Sequence, residues 1–477
     1  MSKLYVFGIG GTGSRVLRAL TMLLASGVKC NDEIVPIIVD PDDNNGDLTR
    51  TITLMKKYKE IHDDLSFSNS QKNEFFKTNL MEDVQNYLFS LRNVRNVTFN
   101  QFMEVPSMSD ENQALIKALF SEKNLASDMQ VGFKGNPNIG SVVLNQFAES
   151  QEFHNLANNF KQGDRIFIIS SIFGGTGASG FPLLLKTFRH NNSLPNFGLL
   201  NNAKIGAVTV LPYFTVEKDS KSSIESETFI SKTKSALSYY YNNITGNDSI
   251  DQIYYIGDNQ QATDAYHNVE GGSGQCNKAH FIELVSALSV LDFANNAGST
   301  RNPKTVYKEF GLQSDNVQSI IFGDFGNTTI DMIRTQLVQY FIMHCYLKDV
   351  DFTLKSKQQW VQDNGFDSNF FNSNFMRNLE FMLNDFEVWL KEMEDNKISF
   401  APFTWNEEDI FKRVKGIEPV KIGVFSKLFG AKEKYELFDL TLDKEHRNLP
   451  KGLVKQDLFM ELFYVTTQKL LNDKLKI

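Results

Sequence analysis

The chain has 477 residues, 41% hydrophobic and 22% charged, which at roughly 150 residues per domain describes a globular protein of two or three domains. Its net charge of -8 excludes broad nucleic-acid binding, because no basic excess exists to neutralise phosphates. Cys30, Cys276 and Cys345 stand far apart with no C-x-x-C pair, so neither a zinc site nor a disulfide framework is indicated, and a reducing cytoplasm is expected.

Met-Ser-Lys-Leu leads straight into the apolar run KLYVFGI (3–9), predicted as a buried strand with no room for a signal peptide. Val16, Leu17, Leu20, Leu23 and Leu24 follow at helical spacing over 13–26. EIVPIIVD (33–40) reads as a second strand ending in acid, and 53–130 as mixed and mostly helical. DRIFIIS (164–170), KIGAVTVL (204–211) and IDQIYYIG (250–257) are three more strands, separated by helical segments. Strands alternating with helices predict a parallel sheet covered on both faces, an α/β Rossmann-like fold. YHNVEGGSGQCN is a loop, and Lys278–Asn295 a long apolar helix. The apolar stretches ending at Leu24 and Leu185 are too short or too rich in glycine to span a bilayer. After NNAGSTRNPK the character changes: the strand VQSIIFG, a long helix over 330–348 and an aromatic helical region over 356–395 predict a second, α+β domain. The division expected is 1–300 and 301–477. KLFGAKEKYELFDL, near the end, reads as a solvated amphipathic segment.

Two glycine loops carry the chemistry. In LYVFGIGGTGSRVLRALTMLL, Gly8, Gly10 and Gly13 fit G-x-G-x-x-G, and RIFIISSIFGGTGASGFPLLLK repeats the strand, glycine turn and helix. Such a turn lets backbone amides approach phosphate oxygens at a positive helix end. A dinucleotide site would want an acid after the second strand, and Asp40 is available, but that fold needs no second cradle. GIGGTGSR followed by VDPDDNNGDLTR also resembles the ThiF/MoeB adenylating enzymes, with Asp40, Asp42, Asn45 and Arg50 in a loose fit. Their cysteine pairs are missing, and Cys276 is the only acceptor candidate.

Four loops in order decide for a third family. SIFGGTGASGFP resembles the tubulin/FtsZ signature, and Pro182 stands where the FtsZ motif closes. VGFKGNPNIGSVVL resembles the FtsZ N-P-x-x-G segment, and KIGAVTVLPYFTVE the strand and ribose-side loop that follow. YYIGDN and the long apolar helix complete the family's order, and the resemblance covers about residues 4–296. It implies a GTP- or GDP-binding domain of tubulin/FtsZ type, with magnesium on the phosphates and no cluster of protein ligands holding a metal. Gly10, Gly11, Thr12 and Gly13 would lie under the α and β phosphates. Gly174, Gly175, Thr176, Gly177 and Ala178 would serve the phosphate tail, and Gly135, Asn136 and Gly140 the γ position. Asp40 would lie near the phosphates or their magnesium, and Pro212 and Glu217 near the ribose. Asp258, Asn277 and Phe281 would approach the base. Arg15 stands where FtsZ commonly has a base-proximal Asn, while Phe173 and Ser179 replace signature glycines. The acid that FtsZ places across a subunit interface has two candidates here, Asp292 and Glu309, in a loop that does not align cleanly. The implied partner is a second copy of the chain, with other proteins possible. The implied function is nucleotide-dependent self-assembly with slow GTP hydrolysis, against a non-polymerising scaffold and the adenylating enzyme as alternatives. The chain ends LLNDKLKI, without the short acidic-apolar tail of FtsZ.

Overall fold

Strand β1 (Lys3–Ile9) lies one strand in from the edge of a six-stranded sheet, where Leu4, Tyr5, Val6 and Phe7 have no exposed surface. The computed structural model describes residues 2–477 apart from 90, 131, 134, 218–226, 259–264, 267–268, 270, 310–311, 313–318, 351–356, 397 and 421–434. The chain forms two compact units, 1–20 with 31–53 and 80–310, and 21–30 with 54–79 and 311–477.

In the first unit β2 (Glu33–Val39), β3 (Arg165–Ser171), β4 (Ile205–Val210), β6 (Gln252–Ile256) and β8 (Val306–Glu309) join β1 in the order β2-β1-β3-β4-β6-β8. Every pairing is parallel. Two short strands, β5 (Thr215–Val216) and β7 (Ala265–Tyr266), pair beside it. Near-continuous apolar runs are what a sheet buried on both faces requires. Helix α1 (Gly10–Ala25) connects β1 to β2, and the Gly175–His190 helix follows β3. Those two crossovers run in opposite directions along the sheet, so right-handed connections send the helices to opposite faces. A crevice opens where adjacent strands part in this way, at the carboxyl ends of β1 and β3.

The apolar Phe281–Asn296 helix is buried along most of its length. Gly206 of β4 lets it approach, because a Cβ there would stand 2.6 Å from the Phe293 ring. Within the stretch read as mixed and mostly helical, residues 80–88 run beside β2 through single parallel bridges Ile34–Leu80 and Ile38–Leu88. The left-handed backbone of Asn86 and Tyr87 interrupts it, which removes the period of a strand.

The second unit is helical around a two-stranded parallel pair, β9 (Ser319–Ile320) and β10 (Ser399–Phe400). Its long helices are Asn327–Asp349, Asn374–Glu394 and Lys455–Lys474. Tyr340 meets Phe386, and Trp360 meets Phe463, in its aromatic core. Residues 66–73 belong to it through Asp457, which accepts from Ser66, and Glu461, which accepts from the amides of Lys72 and Asn73. Of the basic and aromatic segment predicted as solvated, 427–434 lie outside the described residues, and Glu436–Glu445 is a helix.

Candidate functional site

The first glycine turn divides its labour by position. Gly10 has φ +72°, a left-handed backbone that favours glycine. Gly8 and Gly13 pack backbone on backbone: a Cβ on Gly13 would stand 2.7 Å from the Gly8 Cα, and one on Gly8 would stand 2.9 Å from the Gly13 oxygen. α1 therefore starts directly against the end of β1, with its first amides unpaired within the helix. The second turn repeats the device. A Cβ on Gly177 would stand 2.6 Å from the Ser171 oxygen, and one on Gly174 would stand 2.9 Å from Ser171 Oγ. The two turns meet, since a Cβ on Gly10 would lie 3.4 Å from the Thr176 Cβ and 3.8 Å from the Gly177 nitrogen. Between them is a cleft of about 160 Å³.

A third loop forms the next wall. Asn136 caps the Pro137–Leu144 helix, its Oδ1 accepting from Asn138 and Ile139. A Cβ on Gly175 would stand 3.0 Å from the Asn136 nitrogen and 3.1 Å from that of Gly135. Gly140 seats that helix against the next one, because a Cβ there would stand 3.0 Å from the Gly175 oxygen. Ser179, in place of a signature glycine, donates to the Gly175 carbonyl at 2.7 Å and so turns its hydroxyl back into its own helix.

Below the glycines lies a buried polar floor. Asp40 accepts from the Asp42 amide at 3.0 Å, and burial pushes its carboxyl up to about 7. Asp42 accepts from the Gly272 amide at 2.6 Å. Asn45 accepts from the amides of Asp47 and Leu48 at the start of α2 (Gly46–Asp63) and donates to Gln275. Asp47 is fully buried and takes Arg15 at 3.1 Å, Arg50 at 3.0 Å, and both the backbone and side-chain amides of Asn277 at 3.0 Å. Arg15 also pairs with Glu283 at 2.5 Å and donates to the Tyr213 hydroxyl at 2.6 Å. Burial first, and then the Arg15 charge, lower His280 to about 3. The ring is therefore neutral, and its Nδ1 accepts the Ile282 amide at the head of the core helix.

The predicted residues Gly10, Gly11, Thr12, Arg15, Asp40, Gly135, Gly174, Gly175, Thr176, Gly177 and Asn277 all line this cleft. Gly13, Asn136 and Gly140 support its walls from behind through the packing just described. Ala178 and Pro182 line a second cleft, of about 630 Å³, beside the Glu227–Tyr240 helix. Pro212 and Glu217 flank the lining residues Phe214 and Val216. Asp258 is half-buried after β6, and Phe281 is buried in the core helix. Asp42, Asn45, Ser171 and Gln275 also line the cleft, as does an aromatic wall of Phe133, Phe173, Phe214 and Phe229. Phe173 packs on Phe229 at 5.0 Å and on Phe214 at 5.5 Å. The unexpected Phe173 in the signature was the one sequence signal for that wall.

Asp292 sits at the far end of the sheet. Arg165, opening β3, donates to the carbonyls of Phe293, Ala294 and Gly298, which ties the end of the core helix to the amino ends of the strands. One strand of seven residues, roughly 20 Å, separates that end from the cleft. Asp292 accepts from the Tyr254 hydroxyl at 2.5 Å and from Asn296 at 2.8 Å, with Lys308 at 3.7 Å. Glu309 is exposed on the edge strand β8. Among the described residues no group of three His, Cys, Asp or Glu could hold a metal, and no helix is long and apolar enough to cross a membrane.

The chain matches no family model and no curated protein. It is similar to solved structures of FtsZ and CetZ proteins. A tryptophan-to-tyrosine point mutant of FtsZ from M. jannaschii is 15% identical over 54% of this chain and 46% of that one, with a TM-score of 0.26. CetZ1 from Haloferax volcanii, a GDP-bound monomer, is 13% identical over 57% and 55%, with a TM-score of 0.29. CetZ2 from Haloferax volcanii, a GTPγS-bound protofilament, is 11% identical over 62% and 61%, with a TM-score of 0.29. The chain spans about half the length of the first of these solved chains.

Proposed function

We propose that the cleft binds a guanine nucleotide by its phosphates, and that the bound triphosphate promotes association between copies of this chain. The observation that carries the reading is the meeting of two glycine turns, Gly10 against Thr176, at the one place where neighbouring strands part. Two helix starts then face one volume with their amides and with the hydroxyls of Thr12 and Thr176. Such a cradle suits a chain of phosphates, and side chains at the glycine positions would fill it. Asp40 is the group suited to a magnesium ion carried with those phosphates, because a cation would offset the cost of its buried charge. The choice of guanine rests on the order of the four tubulin/FtsZ-like motifs, with Asn277 on the cleft wall as the base-side polar group.

Hydrolysis is proposed as slow and completed by a neighbouring copy. Asp292 lies at the end of the sheet opposite the cleft, which is the end a head-to-tail neighbour would present. Its bonds to Tyr254 and Asn296 favour a second reading, in which the protein holds nucleotide as a scaffold and does not turn it over. The adenylating reading is weakened by the use of its residues elsewhere: Asn45 starts α2, Arg50 binds Asp47, and Asp42 holds Gly272. Identifying the nucleotide retained by the purified protein tests the binding reading, and adenine nucleotide alone would defeat the choice of guanine. Sedimentation with GTP against GDP, with magnesium, separates the first two readings. A monomer in both states at high concentration leaves the scaffold.

A further inference from the structure

We propose that the second cleft, of about 630 Å³, binds a small organic anion whose apolar body lies between two helices and whose acid group meets Lys186 and His190. It has no lining residue in common with the glycine cleft, so the site stands whether or not that cleft holds a nucleotide. Helical spacing builds its walls. Ala178, Pro182, Lys186 and His190 line it at every fourth residue of the Gly175–His190 helix, and residues four apart share a helix face. The facing wall is the Glu227–Tyr240 helix and the π turn Tyr241–Thr245 that continues it, closed by the Gly246 amide on the Tyr241 carbonyl at 2.9 Å. Such turns recur at functional sites. Tyr240 ties the two walls together, donating to the Ala178 carbonyl at 3.5 Å and packing on Phe181 at 5.2 Å. Pro182, Leu183 and Ile244 give the cleft its apolar surface.

The neutral polar groups of these walls are already spent. Ser141, Ser179 and Ser235 donate to the carbonyls of Pro137, Gly175 and Ser231 in their own helices, at 2.9, 2.7 and 3.1 Å. The side-chain amides of Asn243 and Asn247 donate likewise to the carbonyls of Tyr239 and Asn243, at 2.9 and 2.8 Å. A neutral polar ligand would give up water here for few bonds, which costs free energy. Lys186 and His190 differ. Neither side chain has a hydrogen bond or ion pair among the described residues, and no Asp or Glu among those residues lines the cleft. Cations in the last turn of a helix offset its dipole, and that alone makes no site. Here they edge a concave volume with no acid to neutralise them, so an anion gains charge-assisted bonds without a competitor. A cleft of this size accommodates a drug-sized molecule.

The test is fluorescence titration of the full chain with anilinonaphthalene sulfonate, an aromatic anion, and with phenylnaphthylamine, its neutral counterpart. Saturable binding of the sulfonate is expected, tighter than that of the neutral dye. Lys186→Glu should weaken the sulfonate about tenfold or more and the neutral dye less than about threefold, as loss of a charge-assisted bond requires. Lys234→Glu makes the same change of charge at an exposed position outside the cleft, and should leave both dyes unchanged. Ser235→Trp, at an exposed lining position, should exclude both dyes while the melting temperature stays near that of the parent. A parent that binds no sulfonate would overturn the proposal, as would binding that survives Lys186→Glu or Ser235→Trp. Equal weakening by Lys186→Glu and Lys234→Glu would do the same, because it would reduce the effect to overall charge. Displacement of the sulfonate by poly-L-glutamate at matched carboxylate concentration would assign the cleft to an acidic protein surface and overturn the small-molecule class.

Discussion

Arg15 and Glu283 meet at 2.5 Å in a buried ion pair that joins the first helix to the core helix beneath the glycine cleft. Asp47 closes the network from the start of α2. Removing the guanidinium leaves two carboxylates buried without their cation. Arg15→Ala is therefore expected to cost roughly 3–5 kcal/mol of stability in urea denaturation, the range for breaking a buried pair. Arg15→Lys should recover only part of it, because an ammonium cannot fork between two acids. A cost under about 1 kcal/mol would show that Arg15 is not the hub of this floor.

Gly11 offers a clean way to fill the cradle. A Cβ there would meet only Arg15 Nη1, at 3.7 Å, an ordinary contact. Gly11→Val should thus fold like the parent, with a melting temperature changed by a few degrees at most, while its side chain takes space meant for phosphate. Loss of retained nucleotide from the purified variant is the expected result. Normal retention would mean that the phosphates lie elsewhere.

Asp40 sets a pH dependence. Its folded-state value of about 7 lies above the ordinary value near 4, so the folded nucleotide-free protein holds a proton that the unfolded chain releases. Stability should fall as pH rises from about 4 to about 7 and level off above. Between pH 5 and pH 8 the parent should lose about 2 kcal/mol more than Asp40→Asn in urea denaturation. Magnesium-assisted nucleotide binding should show the opposite trend, weakening below about pH 7 as the carboxyl takes up its proton. Identical profiles for parent and variant would remove Asp40 from both roles.

His280 gives an acid-side counterpart. Its value is lowered to about 3, so the neutral ring that caps the core helix is favoured in the folded state. The stability it supports is present above about pH 6.5 and is lost as pH falls toward 3. His280→Asn keeps an acceptor for the Ile282 amide and should flatten that loss, as read by thermal melts from pH 7 to pH 4.

Asp292 decides between assembly with turnover and a silent scaffold. If a neighbouring copy completes the chemistry, phosphate release per protein rises with concentration, and Asp292→Ala lowers it by about 10²-fold, as loss of a positioned acid or base does. Association with GTP, followed by sedimentation, should survive the change. Mixing that variant with Gly11→Val, which keeps its own Asp292, should restore part of the activity. Equal turnover in parent and Asp292→Ala would assign Asp292 to its bonds with Tyr254 and Asn296.

Much of the frame was legible in the chain as written. Apolar runs and glycines act through their own backbones, so Lys3–Ile9, Arg165–Ser171 and the two turns that follow could be read where they stand. Gly10 needs its left-handed φ whatever packs around it. Side-chain roles were another matter. Arg15 stands where FtsZ commonly has a base-proximal Asn, but packing brought Asp47 and Glu283, 32 and 268 residues away, onto its guanidinium. The aromatic wall joins Phe173 to Phe214 and Phe229, and Lys232 reaches Gly135 from nearly a hundred positions on. Backbone conformation depends on near neighbours and shows in spacing. The partner of a buried charge depends on which distant carboxylate the fold carries within a few ångströms, and only the tertiary structure decides that.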